Sequence, residues 1–532
     1  MDDTLRPADE RAVAASAAIQ SPPTEPGERA RTAGQQVGAH YVSTERMADE
    51  PIQPARVGVR GLSRGSGLAG AGRAPVLAAR EDPRGALNES YEIPAVEHRR
   101  RAVALWVTLA VLATSAGLLW HVYLAVADPD QRSLQILWAL GFSWMGWQWI
   151  GSWLDKPYTI GRGPEQVLPL LAVTVIIPVY NEDPAVVDRV LFALSRQTRL
   201  PGRVIVVDDG STVDYTAVRR HWQEHGPPMT WLRQANAGKK HAQAAAFGYD
   251  DHADIFVTID SDTALERRAL EEGLKPFADP RVQSVAGFEI AANPGVNWLT
   301  KTASARSLSF QIAACGVQSF FGDILVNRGA FALYRAQLLR EVAHAYTHET
   351  FFGVPIRLGD DAALTLFARG RGRTVQQPSA FSFTMYPETL SHHFRQWIRW
   401  MRATLIRDFW RLRYLPVASY GYVFTCINSV VFLATSAYPI LVAVEWPRSD
   451  HFATTGLLTM FAWATVTSLR LLCVRRSDQT WLEHVGTLAY YPAALLWQTL
   501  VLRPLRLYGI ATWRRQGWIT RDEVEVRARK AL

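Results

Sequence analysis

Five uncharged, mostly apolar runs, at residues 102–127, 133–154, 414–444, 452–469 and 484–502, bracket a central stretch of different texture. Each run approaches or exceeds the ~20 residues that carry a helix across a bilayer core of ~30 Å. The first contains no ionisable side chain but His121. His98-Arg99-Arg100-Arg101 precedes it and Asp128-Pro129-Asp130 follows it, which puts the N-terminus in the cytoplasm. The tryptophan-rich second run returns the chain there at Asp155-Lys156. The third and fourth read as a hairpin that ends near Arg470, Arg475 and Arg476. A fifth full crossing would leave the C-terminus outside, and residues 503–513 are too short and basic for a sixth. The fifth run is therefore expected to be re-entrant or broken near Pro492.

The net charge of +8 fits this plan, because arginines cluster beside the apolar runs. That placement marks juxtamembrane charge and argues against nucleic acid as a partner. Cys315, Cys426 and Cys473 lack metal-ligand spacing and read as buried apolar residues. The first twenty residues show no signal-peptide pattern. Residues 1–95 are rich in Ala, Gly, Pro, Arg and Glu without a persistent period, as in a disordered tail.

Within residues 170–390, short apolar runs alternate with helical patterns. Residues 173–179, 204–208 and 254–259 read as buried strands, and 183–196 as a crossover helix. Such alternation predicts an α/β sheet with ligands at the carboxyl ends of its strands.

Candidate site residues cluster at those ends. Asp208-Asp209-Gly210-Ser211 follows a strand, where carboxylates accept from a base N–H or ribose hydroxyls; alone it is equally a turn. Asp260-Ser261-Asp262 ends another, and residues two apart in extended chain face one side, so both carboxylates can share Mg²⁺ or Mn²⁺. Without a cation, the two would repel. Lys239 and Lys240, in a loop before an Ala-rich helical stretch, suit phosphate or uracil and equally a solvated turn. Asp361, after Gly359-Asp360, reads as a helix cap or a general base. Gln396, Arg399 and Trp400 share a helical face that suits a diphosphate and a sugar ring, or simply a membrane interface. Trp518 and Arg521 fit a covering loop or a frayed tail.

In order, the stretches VIVVDDGS, NAGKKHAQA, TIDSDT, GDDAALT, RQWIRW and WITR resemble the processive family 2 glycosyltransferases, over residues 170–525. The hyaluronan and nodulation chitin-oligosaccharide synthases are the most similar branch, and cellulose synthases belong to the same superfamily. The resemblance implies a GT-A domain with a mixed, mostly parallel sheet inserted between transmembrane helices. The division it implies is a tail at 1–95, two membrane helices within 96–156 and a cytoplasmic catalytic domain at 157–390. An interface helix at 391–416, a membrane region at 417–513 and a gating tail at 514–532 complete it.

It further implies that Asp208 and Asp209 hold the nucleotide, that Asp260 and Asp262 bind diphosphate and Mg²⁺ or Mn²⁺, and that Asp361 is the catalytic base. Gln396, Arg399 and Trp400 would line the donor and acceptor site, with Trp518 and Arg521 in the gate. The implied partners are UDP-sugar donors, a growing polysaccharide and the lipid bilayer of the plasma membrane. Hyaluronan is the favoured product, chitin oligomers or a cellulose-like β-glycan the alternative; a silent export channel or scaffold is the rival of another class. Two departures bear on the sugar. Ala362 stands where the family has Arg after Gly-Asp-Asp, and Asn327-Arg328-Gly329-Ala330 stands where it has Ser-Gly-Pro.

Overall fold

The computed structural model describes residues 93–98, 132–159, 168–445 and 467–516, with isolated positions between 110 and 120 and between 461 and 465. The tail at 1–92, nearly all of the first and fourth apolar runs, Trp518 and Arg521 lie outside the described residues.

The α/β region is built on β2 (Val173–Val179), β3 (Arg203–Asp208), β4 (Met229–Arg233), β5 (Ile255–Ile259), β6 (Thr263–Leu265), β7 (Val282–Ala291), β8 (Phe331–Arg335) and β11 (Arg373–Thr384). They form one mixed sheet in the order β4-β3-β2-β5-β8-β7-β11-β6. The β4-β3-β2-β5 half is parallel, β8 runs antiparallel to both neighbours, β7 and β11 are parallel, and β6 is antiparallel to β11. The expected strands at 173–179, 204–208 and 254–259 appear within a residue of those bounds because β-branched side chains there are buried on both faces.

Among the helices are α1 (Arg132–Gly151), α2 (Pro184–Ser195), α3 (Thr216–His225), α4 (Lys239–Tyr249), α5 (Ala269–Leu274), α6 (Trp298–Phe310) and α7 (Gly316–Phe321). Further along lie α8 (Ala336–Thr347), α9 (Asp360–Arg371), α10 (Leu390–Tyr414), α11 (Tyr420–Glu445), α12 (Trp481–Trp497) and α13 (Arg503–Ala511). Helix α2 is the expected crossover, and Asp183 caps it by accepting from Ala185 N at 3.0 Å. Lys239 and Lys240, expected in a loop, instead form the first turn of α4. One core joins α4, α8 and α9 to the sheet through Phe247, Phe256, Tyr334, Leu339, Tyr346 and Leu364. A second, with Phe288, Phe381, Phe383, Tyr491 and Ala494, draws α12 onto the other end.

Two features constrain the apolar runs. Strand β1 (Val96–His98), just before the first run, pairs antiparallel with β12 (Val474–Arg476), just after the fourth. Arg476 then ties the pair to the catalytic sheet by donating to Ala291 O at 2.5 Å. Among the described residues one helix, Trp481–Ala511, is long and apolar enough to cross a membrane. It comprises α12, a π-helical turn at Gln498–Leu502 and α13, with Pro492 inside α12. It bonds to α6 and α10. Tyr491 OH meets Ser309 Oγ at 2.7 Å, Trp397 Nε1 donates to Leu502 O at 2.9 Å, and Arg402 Nε donates to Thr512 Oγ1 at 3.2 Å.

Candidate active site

Strand β3 ends at Asp208, and its chain end is knotted to the end of β4. Asp208 accepts from Ser211 N at 2.8 Å and from Arg233 Nη1 at 2.7 Å. Asp209 accepts from Gln234 Nε2 at 2.7 Å and from the amides of Ala237 and Gly238 at 3.0 and 2.8 Å. Asp209 thus fixes the turn that launches α4 and sets the direction of Lys239. Sequence reasoning missed Arg233 and Gln234, although only Ala235 separates them from the Asn-Ala-Gly-Lys stretch it singled out.

Lys239 Nζ lies 2.6 Å from Asp260 Oδ1 and 2.8 Å from Asp360 Oδ2, so one ammonium joins the end of β5 to the start of α9. Burial alone would lower its pKa, but Asp260 and Asp360 outweigh burial and raise it. A β-carbon at Gly329 would stand 3.1 Å from Lys239 Nζ and 3.5 Å from Asp260 Oδ2, so the 327–330 segment closes this corner with bare backbone.

The two aspartates of α9 are driven apart electrostatically. Lys239 overcomes the effect of burial and holds Asp360 below the usual carboxylate range. Burial and then the Asp360 charge push Asp361 up to about 6. Neighbouring carboxylates with opposed shifts are a recurring arrangement at proton-transfer sites.

What holds α9 in place is a buried ionic knot. Glu349 accepts from Arg407 Nη1 at 2.7 Å, from Arg407 Nη2 at 2.8 Å and from Lys240 Nζ at 2.5 Å. Arg407 Nη2 also donates to Gly359 O at 3.0 Å. Lys240 therefore turns away from Lys239 and ties α4 to α10, donating also to Ile356 O at 3.0 Å. Gly359 has φ +71°, and a β-carbon there would lie 2.8 Å from Ala403 Cβ, so only glycine fits the join of α9 to α10. Neither Glu349 nor Arg407 was singled out from sequence, since each pairs across long separations.

Gln396, Arg399 and Trp400 lie on α10 as spaced, one turn before Ala403, with Trp400 exposed and the other two half-buried. Trp513, which leads toward Trp518 and Arg521, packs edge-on against Phe351 at 5.1 Å.

Asp260 directly follows β5, but Asp262 stands in a turn, closed by Thr263 N donating to Asp260 O at 3.1 Å, and not in the extended chain expected. Both side chains are oxygen donors of the kind a divalent cation takes, and Asp260 keeps a third of its side chain open beside the Lys239 ammonium. Among the described residues no group of three or more His, Cys, Asp or Glu gathers as a self-sufficient metal site. A cation here would take its remaining ligands from diphosphate and water, as Mg²⁺ commonly does.

Residues 174–343 match the family described as glycosyl transferase family 2. The hyaluronan synthase of Streptococcus pyogenes serotype M1 is 30% identical over 360 residues, 66% of this chain and 84% of the relative. An N-acetylglucosaminyltransferase of Rhizobium meliloti (strain 1021) is 29% identical over 395 residues, 73% of this chain and 88% of the relative. Among solved structures, the mannosyltransferase PcManGT from Pyrobaculum calidifontis, in complex with GDP-Man and Mn²⁺, aligns with a TM-score of 0.45 and 19% identity over 74% of this chain and 99% of that one, too loosely to bear on function. The chain belongs to the family 2 glycosyltransferases: it is a hexosyltransferase with a GT-A catalytic fold. Within that family it is similar to hyaluronan synthases and to rhizobial N-acetylglucosaminyltransferases.

Proposed function

We propose that this enzyme is a membrane-integrated, processive, inverting transferase that polymerises UDP-sugars into a β-linked polysaccharide, with hyaluronan as the product, and exports it. The observation that carries this reading is Asp361: a half-buried carboxyl whose pKa is pushed up to about 6, beside the corner where Lys239 bridges Asp260 and Asp360.

In the proposed reaction an acceptor hydroxyl attacks the anomeric carbon of the donor from the face opposite UDP. The new C–O bond forms as the bond from the anomeric carbon to the diphosphate oxygen breaks. UDP leaves with that electron pair, and the hydroxyl proton passes to Asp361. The rim held by Asp208 and Asp209 receives the nucleotide. Arg399 offers a guanidinium to the diphosphate, and Trp400 a flat face to a sugar. Asp260 and Asp262 would hold Mg²⁺ or Mn²⁺, which would supply charge neutralisation for the leaving diphosphate. Lys239 bridges Asp260 and Asp360 and keeps Asp360 ionised.

The β1–β12 pairing supports a topology in which the catalytic domain, the N-terminal flank and the end of the fourth apolar run share the cytoplasmic side. The contacts of α12 and α13 support a helix that lies along the membrane surface, not across it.

Asp361→Asn tests the assignment of the base. UDP release falls ~10²–10⁴-fold while UDP still binds; full turnover in that variant removes Asp361 from the role.

A further inference from the structure

Arg328 belongs to the departure from Ser-Gly-Pro and precedes Gly329, which borders Lys239 and Asp260. Its Nη1 donates to Ser307 Oγ at 2.8 Å and lies 3.4 Å from Glu289 Oε2, and its guanidinium sits over the Phe310 ring at 5.5 Å. Glu289 also accepts from Tyr386 OH at 2.7 Å. Its two carboxylate oxygens are thus engaged.

A second guanidinium, Arg306, stands beside this group on α6. It lies 4.7 Å over the ring of Trp397, the residue after Gln396 on α10. Among the described residues it makes no hydrogen bond and no ion pair. Its side chain is only half-buried by surface, so it is reachable. Burial and then the charge of Arg328 nonetheless push its pKa down to about 10. Two guanidiniums therefore stand near one carboxylate, which Arg328 already engages, and the half-buried cluster carries an excess positive charge. Such a charge costs free energy unless an anion completes it. A guanidinium matches a carboxylate fork in geometry as well as charge.

The position suits a sugar chain. The 327–330 segment runs from Arg328 to Gly329, which borders Asp260 and Lys239. The aromatic face of Trp397 and the face that carries Gln396, Arg399 and Trp400 belong to the same helix.

We propose that Arg306, backed by Arg328, forms an acceptor subsite for a carboxylate, the uronate unit of a growing acidic polysaccharide. The inference rests on the reading of the enzyme as a polymerising transferase and deepens it, because a neutral chitin or cellulose chain has no group for this charge. Arg328 is the positioning residue: it occupies Glu289 and leaves Arg306 for the substrate.

The test uses the full chain in lipid nanodiscs and two probes, a hyaluronan tetrasaccharide and the same tetrasaccharide with its carboxylates reduced to alcohols. Binding of each is measured without donor, and UDP binding is measured in parallel to count intact sites. The wild-type protein binds the acidic probe about tenfold more tightly. Arg306→Gln brings the two probes to equal affinity, Arg306→Lys restores part of the difference, and UDP affinity stays the same in both. Equal binding of the two probes by the wild type, or an undiminished preference in Arg306→Gln, overturns the subsite. UDP release from the donors is a separate readout. Its absence, with the carboxylate preference intact, would remove the transferase reading and leave the anion site standing.

Discussion

Asp361 must be ionised to accept a proton, and burial beside Asp360 pushes its pKa up to about 6. The sign follows directly: the base is lost as pH falls through the raised value and fully available above it. Sugar transfer should fall as pH drops through about 6 and level off above it, read as the pH dependence of kcat for UDP release. A flat profile between about pH 5 and 8 would remove the base assignment. The knot at Glu349 makes a different prediction. Glu349→Gln leaves Lys240 and Arg407 buried without their counter-charge, a loss of ~3–5 kcal/mol. Thermal unfolding of the detergent-solubilised protein should show a clear drop in Tm; an unchanged Tm would mean that the knot contributes little. At this scale the sequence was legible at the strand ends, where Asp208 closes β3 and Asp260 follows β5 as expected. The lysine pair was legible only as a pair. Successive helix residues point ~100° apart, so Lys239 and Lys240 reach different carboxylates, and no spacing rule names Glu349 as the second partner.

Among the elements, β2, β3 and β5 were legible because each is a run of β-branched residues buried on both faces. The other half of the sheet carried a weaker signal. Strand β4 is half-exposed, and β11 contains Gln376, Gln377 and Pro378 with a register shift between Gln376 and Phe381. The helix at Trp481–Ala511 is long and apolar enough to cross a membrane, and the segment from Tyr491 to Thr512 also bonds to Ser309 on α6 and to Trp397 and Arg402 on α10. A helix in the plane of the interface keeps both ends on one side. Cysteines placed singly at Trp481 and Arg515, after replacement of Cys315, Cys426 and Cys473, should both react with an impermeant maleimide from the cytoplasmic face. Labelling of one end only from the opposite face would make this helix a crossing.

Over the whole molecule, the pairing of residues 96–98 with 474–476 joins two chain segments that the apolar runs separate by most of the sequence. The alternation of apolar runs with an α/β centre was legible at once, but this join was not, because three-residue strands have no periodicity to read. It makes the catalytic domain, the flank of the first run and the end of the fourth one unit. The proposed function is tested most directly by UDP release and product analysis with purified protein in lipid, given a panel of UDP-sugars with Mg²⁺ or Mn²⁺. UDP-N-acetylglucosamine and UDP-glucuronate together should yield a high-mass polymer that a hyaluronan lyase digests, and EDTA should stop its synthesis. A polymer made from one UDP-sugar alone would contradict the assignment to hyaluronan, and no UDP release from any donor would contradict the reading of the site itself.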